Sequence, residues 1–249
     1  MYEPAPEPPI PVPRPVLPLD RLAALVEVVI CSGFPSQIFL IVILRGFGLH
    51  MFAADGRLSP PFVSTISLLD AILVVTLCVF FLRVHRESAR HVLFGRRPVL
   101  RETLFGIAIL PAAFMLVMIV RILLLKYAPQ LHNVTRNPLE DMLRNRHDVL
   151  VFAVVVVISG GVREEVQRGF ITHRFAHYLG GGVAGVLIYS VIFGLGHYDQ
   201  GYDAMIMTGL LGVVWGFVYL ARRSIVAPVV SHAGFNLAQL VMYLTFATR

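Results

Sequence analysis

The chain has 249 residues, 57% hydrophobic and only 14% charged, with a mean hydropathy of +0.75. A soluble domain carries about 25% charged residues, so too few charges remain here to coat a water-exposed surface of this size. The net charge of +6 resides in Lys and Arg lying in short loops between apolar runs, which suits membrane orientation and anionic headgroups and argues against nucleic acid as a partner.

Residues 1–18 (MYEPAPEPPIPVPRPVLP) are Pro-rich. Repeated Pro removes backbone donors and favours extended chain, so a disordered tail is expected, with no apolar core of a signal peptide. Residues 19–249 read as one transmembrane helical domain. Apolar runs cover 22–44, 62–82, 103–125, a segment from 149 whose second half is amphipathic, 182–198, 203–220 and 225–246. A bilayer-spanning helix needs about 20 mainly apolar residues. The pattern predicts an all-α polytopic bundle of seven spans, or eight if the first breaks near Gly33, Pro35 and Ser36. Cys31 and Cys78 lie within apolar runs and suggest no disulfide framework. Gly180–Gly182 reads as a turn between helices, because no strand precedes it.

Orientation follows from basic loops. Arg83, Arg86, Arg90, Arg96, Arg97 and Arg101 cluster between the second and third runs, which places that loop in the cytoplasm. Alternation then places the N-terminus, Arg174 and the Arg222–Arg223 pair on the same side. A multi-pass protein of a bacterial plasma membrane, in contact with the lipid bilayer, is the expected setting.

Charged groups inside a bilayer cost about 2.5–3.5 kcal/mol each on insertion scales and need a reason to persist. The C-terminal half concentrates them: Glu164, Glu165 and Arg168 in the fourth segment, His197 near the end of the fifth, His232 and Asn236 in the seventh. Glu164 and His197 each lie about fifteen residues along antiparallel segments, so at about 1.5 Å per residue they reach similar depth. The i,i+4 spacing of His232 and Asn236 places them on one helix face. The set can converge within the membrane on a site open to the cytoplasmic side.

Peptide hydrolysis needs a base for water and donors for the developing oxyanion. A carboxylate taken out of water is a stronger base than one in water. A His can share its proton, and a second His with an Asn supplies oxyanion donors. Glu164, His197 and His232 could instead hold a divalent metal such as zinc, although no HExxH is present. Structural readings compete. Glu165 at i,i+3 or Glu164 at i,i+4 could simply neutralise Arg168, and a lone intramembrane His often only bonds across helices. His85, His91, His173 and His177 read as interfacial, and Glu27, Asp70 and Arg121 as helix-packing or interface groups. Intramembrane Glu and His also build proton relays in transporters, but no inverted repeat is visible.

Three segments resemble the successive motifs of the CAAX-protease and bacteriocin-processing family: REEVQRGF (163–170), SVIFGLGH (190–197) and SIVAPVVSHAGFN (224–236). The family pattern is a Glu pair followed by Arg-Gly, then Phe-x-x-x-His, then His-x-x-x-Asn or Asp. Here it falls on Glu164, Glu165, Arg168 and Gly169, on Phe193 and His197, and on His232 and Asn236. Residues 148–246 would carry the protease core. The resemblance implies an intramembrane endopeptidase acting on membrane-associated proteins or peptides. Glu164 or Glu165 with His197 would activate water, His232 and Asn236 would stabilise the oxyanion, and Arg168 would hold the second carboxylate, with or without a metal. One departure stands out. The family has three residues between the second Glu and the Arg, whereas this chain has only Val166 and Gln167. Ungapped alignment on Arg168 puts Arg163 at the first Glu position. Alignment on the Glu pair turns the Arg by about 100°. Both carboxylates remain candidates for the base. The same fold could also serve a catalytically silent immunity or accessory protein.

Overall fold

The computed structural model describes residues 15–246, and these are all-α. The proposed tail therefore falls largely outside the described residues. Nine α-helices follow in order: α1 (Pro18–Ile30), α2 (Phe34–Gly46), α3 (Pro60–Val84), α4 (Val99–Tyr127), α5 (Arg146–Val155), α6 (Glu164–Tyr178), α7 (Gly182–Leu195), α8 (Tyr202–Arg222) and α9 (Val226–Phe246). A π-helix, Val156–Arg163, joins α5 to α6 without a break, and a second π-turn, Arg90–Phe94, follows α3.

Among the described residues, four helices are long and apolar enough to cross a membrane: α3, α4, α8 and α9. The bent pair α1 and α2 makes a fifth, with 42° between its halves. The count of seven to eight is not reached on length and composition. The α7 helix has only 14 residues, and the segment from α5 to α6 carries the polar cluster. The chain is an integral membrane protein. Its outward apolar side chains, such as Ile72, Leu104 and Ile122, are the lipid-facing kind expected of spanning helices.

The break in the first run is made by Gly33, which has φ +89°; a Cβ there would stand 2.3 Å from Arg163 Nη2. A left-handed residue without a side chain is needed to end one helix and start the next against that guanidinium. The helix α4 runs on through Pro111.

The centre of the bundle is α6, whose residues 165–172 are all buried. Phe170, Ile171 and Phe175 share one apolar core with Val74, Cys78, Tyr189 and Trp215. Small residues let its neighbours close in. A Cβ on Gly194 would lie 2.7 Å from the Met205 carbonyl oxygen, and one on Gly216 2.6 Å from Val186, so α7 and α8 pack almost backbone to backbone. Gly180 and Gly181 make the turn before α7, both with positive φ. Cys31 and Cys78 are buried free thiols.

The arginine-rich end is tightly sealed. Tyr219 donates its hydroxyl to the Val92 carbonyl at 2.9 Å, and the Ile225 amide bonds the Leu93 carbonyl at 2.7 Å. Arg222 grips the buried Glu102 through two nitrogens, at 2.6 and 3.2 Å. Arg174 pairs with Glu27 at 2.6 Å and also with Glu87. Glu27 also meets His85 Nε2 at 2.6 Å. Glu27 and Asp70 thus have specific partners that sequence spacing did not reveal. Asp70 is bonded by Arg163 at 2.6 Å and by the Ser36 hydroxyl.

Candidate active site

Three elements bring the polar residues together. The π-helix Val156–Arg163 precedes Glu164 and contains Gly160 and Gly161. Its wide turn is the kind of irregularity that often marks functional positions in helices. The two glycines allow α9 to approach: a Cβ on Gly160 would sit 2.6 Å from Asn236 Nδ2, and one on Gly161 2.7 Å from the Ala233 Cβ. This close approach sets α9, with His232 and Asn236, against the start of α6.

His232 lies between the two carboxylates. Its Nδ1 is 2.9 Å from Glu165 Oε1, and its Nε2 is 3.7 Å from Glu164 Oε2. The other oxygen of Glu165 accepts from Arg168 Nε at 3.0 Å, and both side chains of that pair are 1% exposed. Arg168 Nη1 donates to the Gly212 carbonyl at 3.1 Å. Its guanidinium also covers the Phe193 ring at 4.6 Å. The Arg168 charge is thus compensated by Glu165 and an aromatic face, as a buried guanidinium requires. The two carboxylates have different surroundings. Glu165 is consumed by Arg168 and His232, whereas Glu164 borders open space.

That space is a cavity of about 510 Å³, bordered by Glu164, His197, Trp215, His232 and Asn236. Glu164 and His197 also border a smaller void of about 80 Å³ beside the break between α1 and α2. His197 follows the end of α7. Its Nδ1–H donates to the Phe193 carbonyl at 2.9 Å, which leaves Nε2 without its proton in the neutral ring. Phe193 stands edge-on to both imidazoles, with centroids 4.9 Å from His197 and 6.0 Å from His232. Arg163, which stands where an ungapped alignment expects a carboxylate, turns away to Asp70 and comes within 4.0 Å of Glu164 Oε1.

Trp215 was missed by sequence reasoning. It stacks on the His232 ring and donates Nε1–H to Ser231 Oγ at 3.2 Å. The available signal was the chain's one Trp set between Gly212 and Gly216.

The cavity is also lined by residues from 132–143, with Gln200, Asp203 and Tyr243. No residue of 83–101, 165–196 or 216–231 borders it. The cavity therefore lies toward the end of the bundle that holds 128–145, away from the arginine-rich loop. The reason is packing: the turn at Arg90–Phe94 and the ends of α6 and α8 interlock, and a Cβ on Gly169 would already meet Ile225 at 2.9 Å and Tyr219 at 3.3 Å. At the end that holds 128–145, His132 Nδ1 bonds Asp203 at 2.8 Å, and Asn133 accepts from the Tyr202 amide at 2.8 Å.

Among the described residues, no group of three or more His, Cys, Asp and Glu side chains is placed to hold an ion, and His232 commits Nδ1 to Glu165.

Comparison with curated proteins and with solved structures gives no match. Residues 146–238, the stretch that holds Glu164, Glu165, Arg168, His197, Trp215, His232 and Asn236, match the family described as Rce1-like, type II CAAX prenyl endopeptidase Rce1-like. Over this segment the chain is similar to the CAAX-protease and bacteriocin-processing family.

Proposed function

We propose that the protein is an intramembrane endopeptidase that hydrolyses peptide bonds of membrane-associated proteins or peptides, with Glu164 as the general base. The observation that carries this reading is the division of labour between the carboxylates. Glu165 is tied to Arg168 and His232, while Glu164 faces the cavity together with His197.

In this mechanism a water in the cavity is held by Glu164 and the free Nε2 of His197. Glu164 takes a proton from the water as the oxygen bonds the scissile carbonyl carbon. The carbonyl oxygen becomes an oxyanion. His232, held by Glu165 through Nδ1, offers Nε2–H to the oxyanion, and Asn236 offers Nδ2–H. Collapse of the tetrahedral intermediate breaks the C–N bond, and Glu164 returns the proton to the departing amine. Each fixed donor aimed at the oxyanion is worth about 2.7–4 kcal/mol in comparable sites. Arg168 is a positioning residue that acts through Glu165. By family likeness the substrates include prenylated C-terminal tails, but nothing in the cavity requires a prenyl group.

The test is cleavage of a membrane-peptide library by detergent-purified protein beside E164Q, E165Q and H197A. E164Q should abolish cleavage and leave the melting temperature unchanged. E165Q should lower both, because it strips Arg168 of its buried partner. Wild-type rates in E164Q would sink the assignment.

A further inference from the structure

Resting on the protease reading above, we propose that the small void beside the break between α1 and α2 is a water-binding site that resupplies the hydrolytic water. Gln167 and Arg163 are its positioning residues. Water held there reaches Glu164 and His197 from behind while a substrate occupies the larger cavity.

Three observations converge on this void. The first is its place. Glu164 and His197 are the two residues that line both the void and the cavity of about 510 Å³. The general base and the imidazole that hold the attacking water thus stand between two spaces. A peptide lying in the larger one displaces water from that side. The smaller one stays out of the peptide's way.

The second is a pair of unmet polar atoms. Among the described residues, Arg163 Nε and Gln167 Oε1 are buried without a hydrogen-bond partner, and both side chains line the void. Gln167 is 0% exposed and Arg163 7%. Neither head is free to turn elsewhere. Gln167 Nε2 donates to the Cys31 carbonyl at 2.5 Å, and Arg163 Nη2 donates to Asp70 at 2.6 Å. One donor and one acceptor are therefore held fixed at the void, within a turn of Glu164. Buried polar atoms of this kind are ordinarily satisfied by internal water. An apolar substrate side chain would leave both unpaired.

The third is size and access. The void measures about 80 Å³, and one water needs about 10–15 Å³ of such space, so a few waters fit. Ser32 and Gln37 add polar groups to its lining, and Gln37 and Gly196 are exposed at its edge. It can refill there without passing through the larger cavity. The break at Gly33 makes the room, since a Cβ at that position would collide with Arg163 and press on Gln167.

A crystal structure of the full chain in a lipidic mesophase, at a resolution that shows ordered water, tests the site without substrate. Water bonded to both Arg163 Nε and Gln167 Oε1 is expected, with loss of the Gln167-bound water in Q167M. A void without water in the wild type overturns the proposal.

Cleavage kinetics test the role. Q167M keeps the length of the side chain and removes Oε1. I192F fills the void from α7 and removes no polar group. Each should lower kcat about tenfold with KM unchanged, as expected when a reactant is misplaced but substrate binding is not. Melting temperatures are compared alongside, and Q167M, which adds no bulk, decides the matter when I192F is poorly folded. Wild-type kcat in well-folded Q167M overturns the role. A raised KM at unchanged kcat in I192F shows that the void takes a substrate side chain and overturns the proposal. If water is seen at Arg163 and Gln167 and the wild type cleaves nothing, the water site stands, and its resupply role falls together with the protease reading.

Discussion

The His232 ring lies flat on the Trp215 indole, with centroids 3.8 Å apart and planes 18° apart. In the mechanism proposed above, His232 aims one nitrogen at a transient oxyanion and gains from a rigid backing. Glu165 fixes its position in the ring plane and Trp215 fixes its tilt. An aromatic pair contributes about 0.5–1.5 kcal/mol beyond area burial. Trp215→Leu should therefore lower kcat about tenfold with a smaller change in KM. Trp215→Phe keeps the stack and loses only the bond to Ser231, so its loss should be smaller. Steady-state cleavage of one membrane peptide by the three proteins checks the order.

The π-helix glycines should separate into two behaviours. Gly160→Ala drives a methyl into the Asn236 amide, a flexible side-chain end, so cleavage should fall by more than tenfold while the fold survives. Gly161→Ala meets Ala233 from the facing helix. That contact cannot yield without separating the helices, so overpacking of about 1–3 kcal/mol is expected. Thermal melting in detergent together with activity distinguishes the two.

Asp70 and Arg163 are both buried and joined at 2.6 Å. Removing one partner of such a pair costs about 3–5 kcal/mol, because the other charge is left in a low-dielectric setting. Asp70→Ala should destabilise by about that amount, measured as the denaturant midpoint in micelles. Asp70→Ala combined with Arg163→Met should recover a large part of the loss.

Glu87 sits in the connection after α3, outside the spans. Burial alone would raise its carboxyl, but hydrogen bonds from His173 and Arg174 outweigh it and bring it down from 4.5 to about 2. A depressed carboxylate stabilises the fold above its ordinary value, and that stability is lost as pH falls toward the folded one. Glu87→Gln should thus melt lower than wild type at pH 7. The gap should close between about pH 4.5 and 2, as melting temperatures over a pH series would reveal.

Much of the proposed site was legible before any fold was known. Glu164, Glu165, His197, His232 and Asn236 are conspicuous because a polar group in an apolar run is costly. The pairing of Glu165 with Arg168 at i,i+3 was also visible as an alternative. It proved compatible with a site, since the same carboxylate also bonds His232. Which glutamate faces the cavity was not visible. That depends on the π-helix Val156–Arg163, whose turn changes the rotation of every later residue and has no hydropathy signature.

By itself the sequence determined that this is a helical membrane protein, which residues are too polar for their surroundings, and the order of the three motifs. Hydropathy and i,i+4 spacing are local properties, readable within a few turns. Only the tertiary structure decided that Trp215 backs His232, that Arg163 answers Asp70 across 93 residues of chain, and that the cavity lies away from the arginine-rich loop. These depend on which helix faces come into contact. That is fixed by close-packing of small residues such as Gly161, Gly169 and Gly194 against distant partners, a matter of shape between segments far apart in the chain.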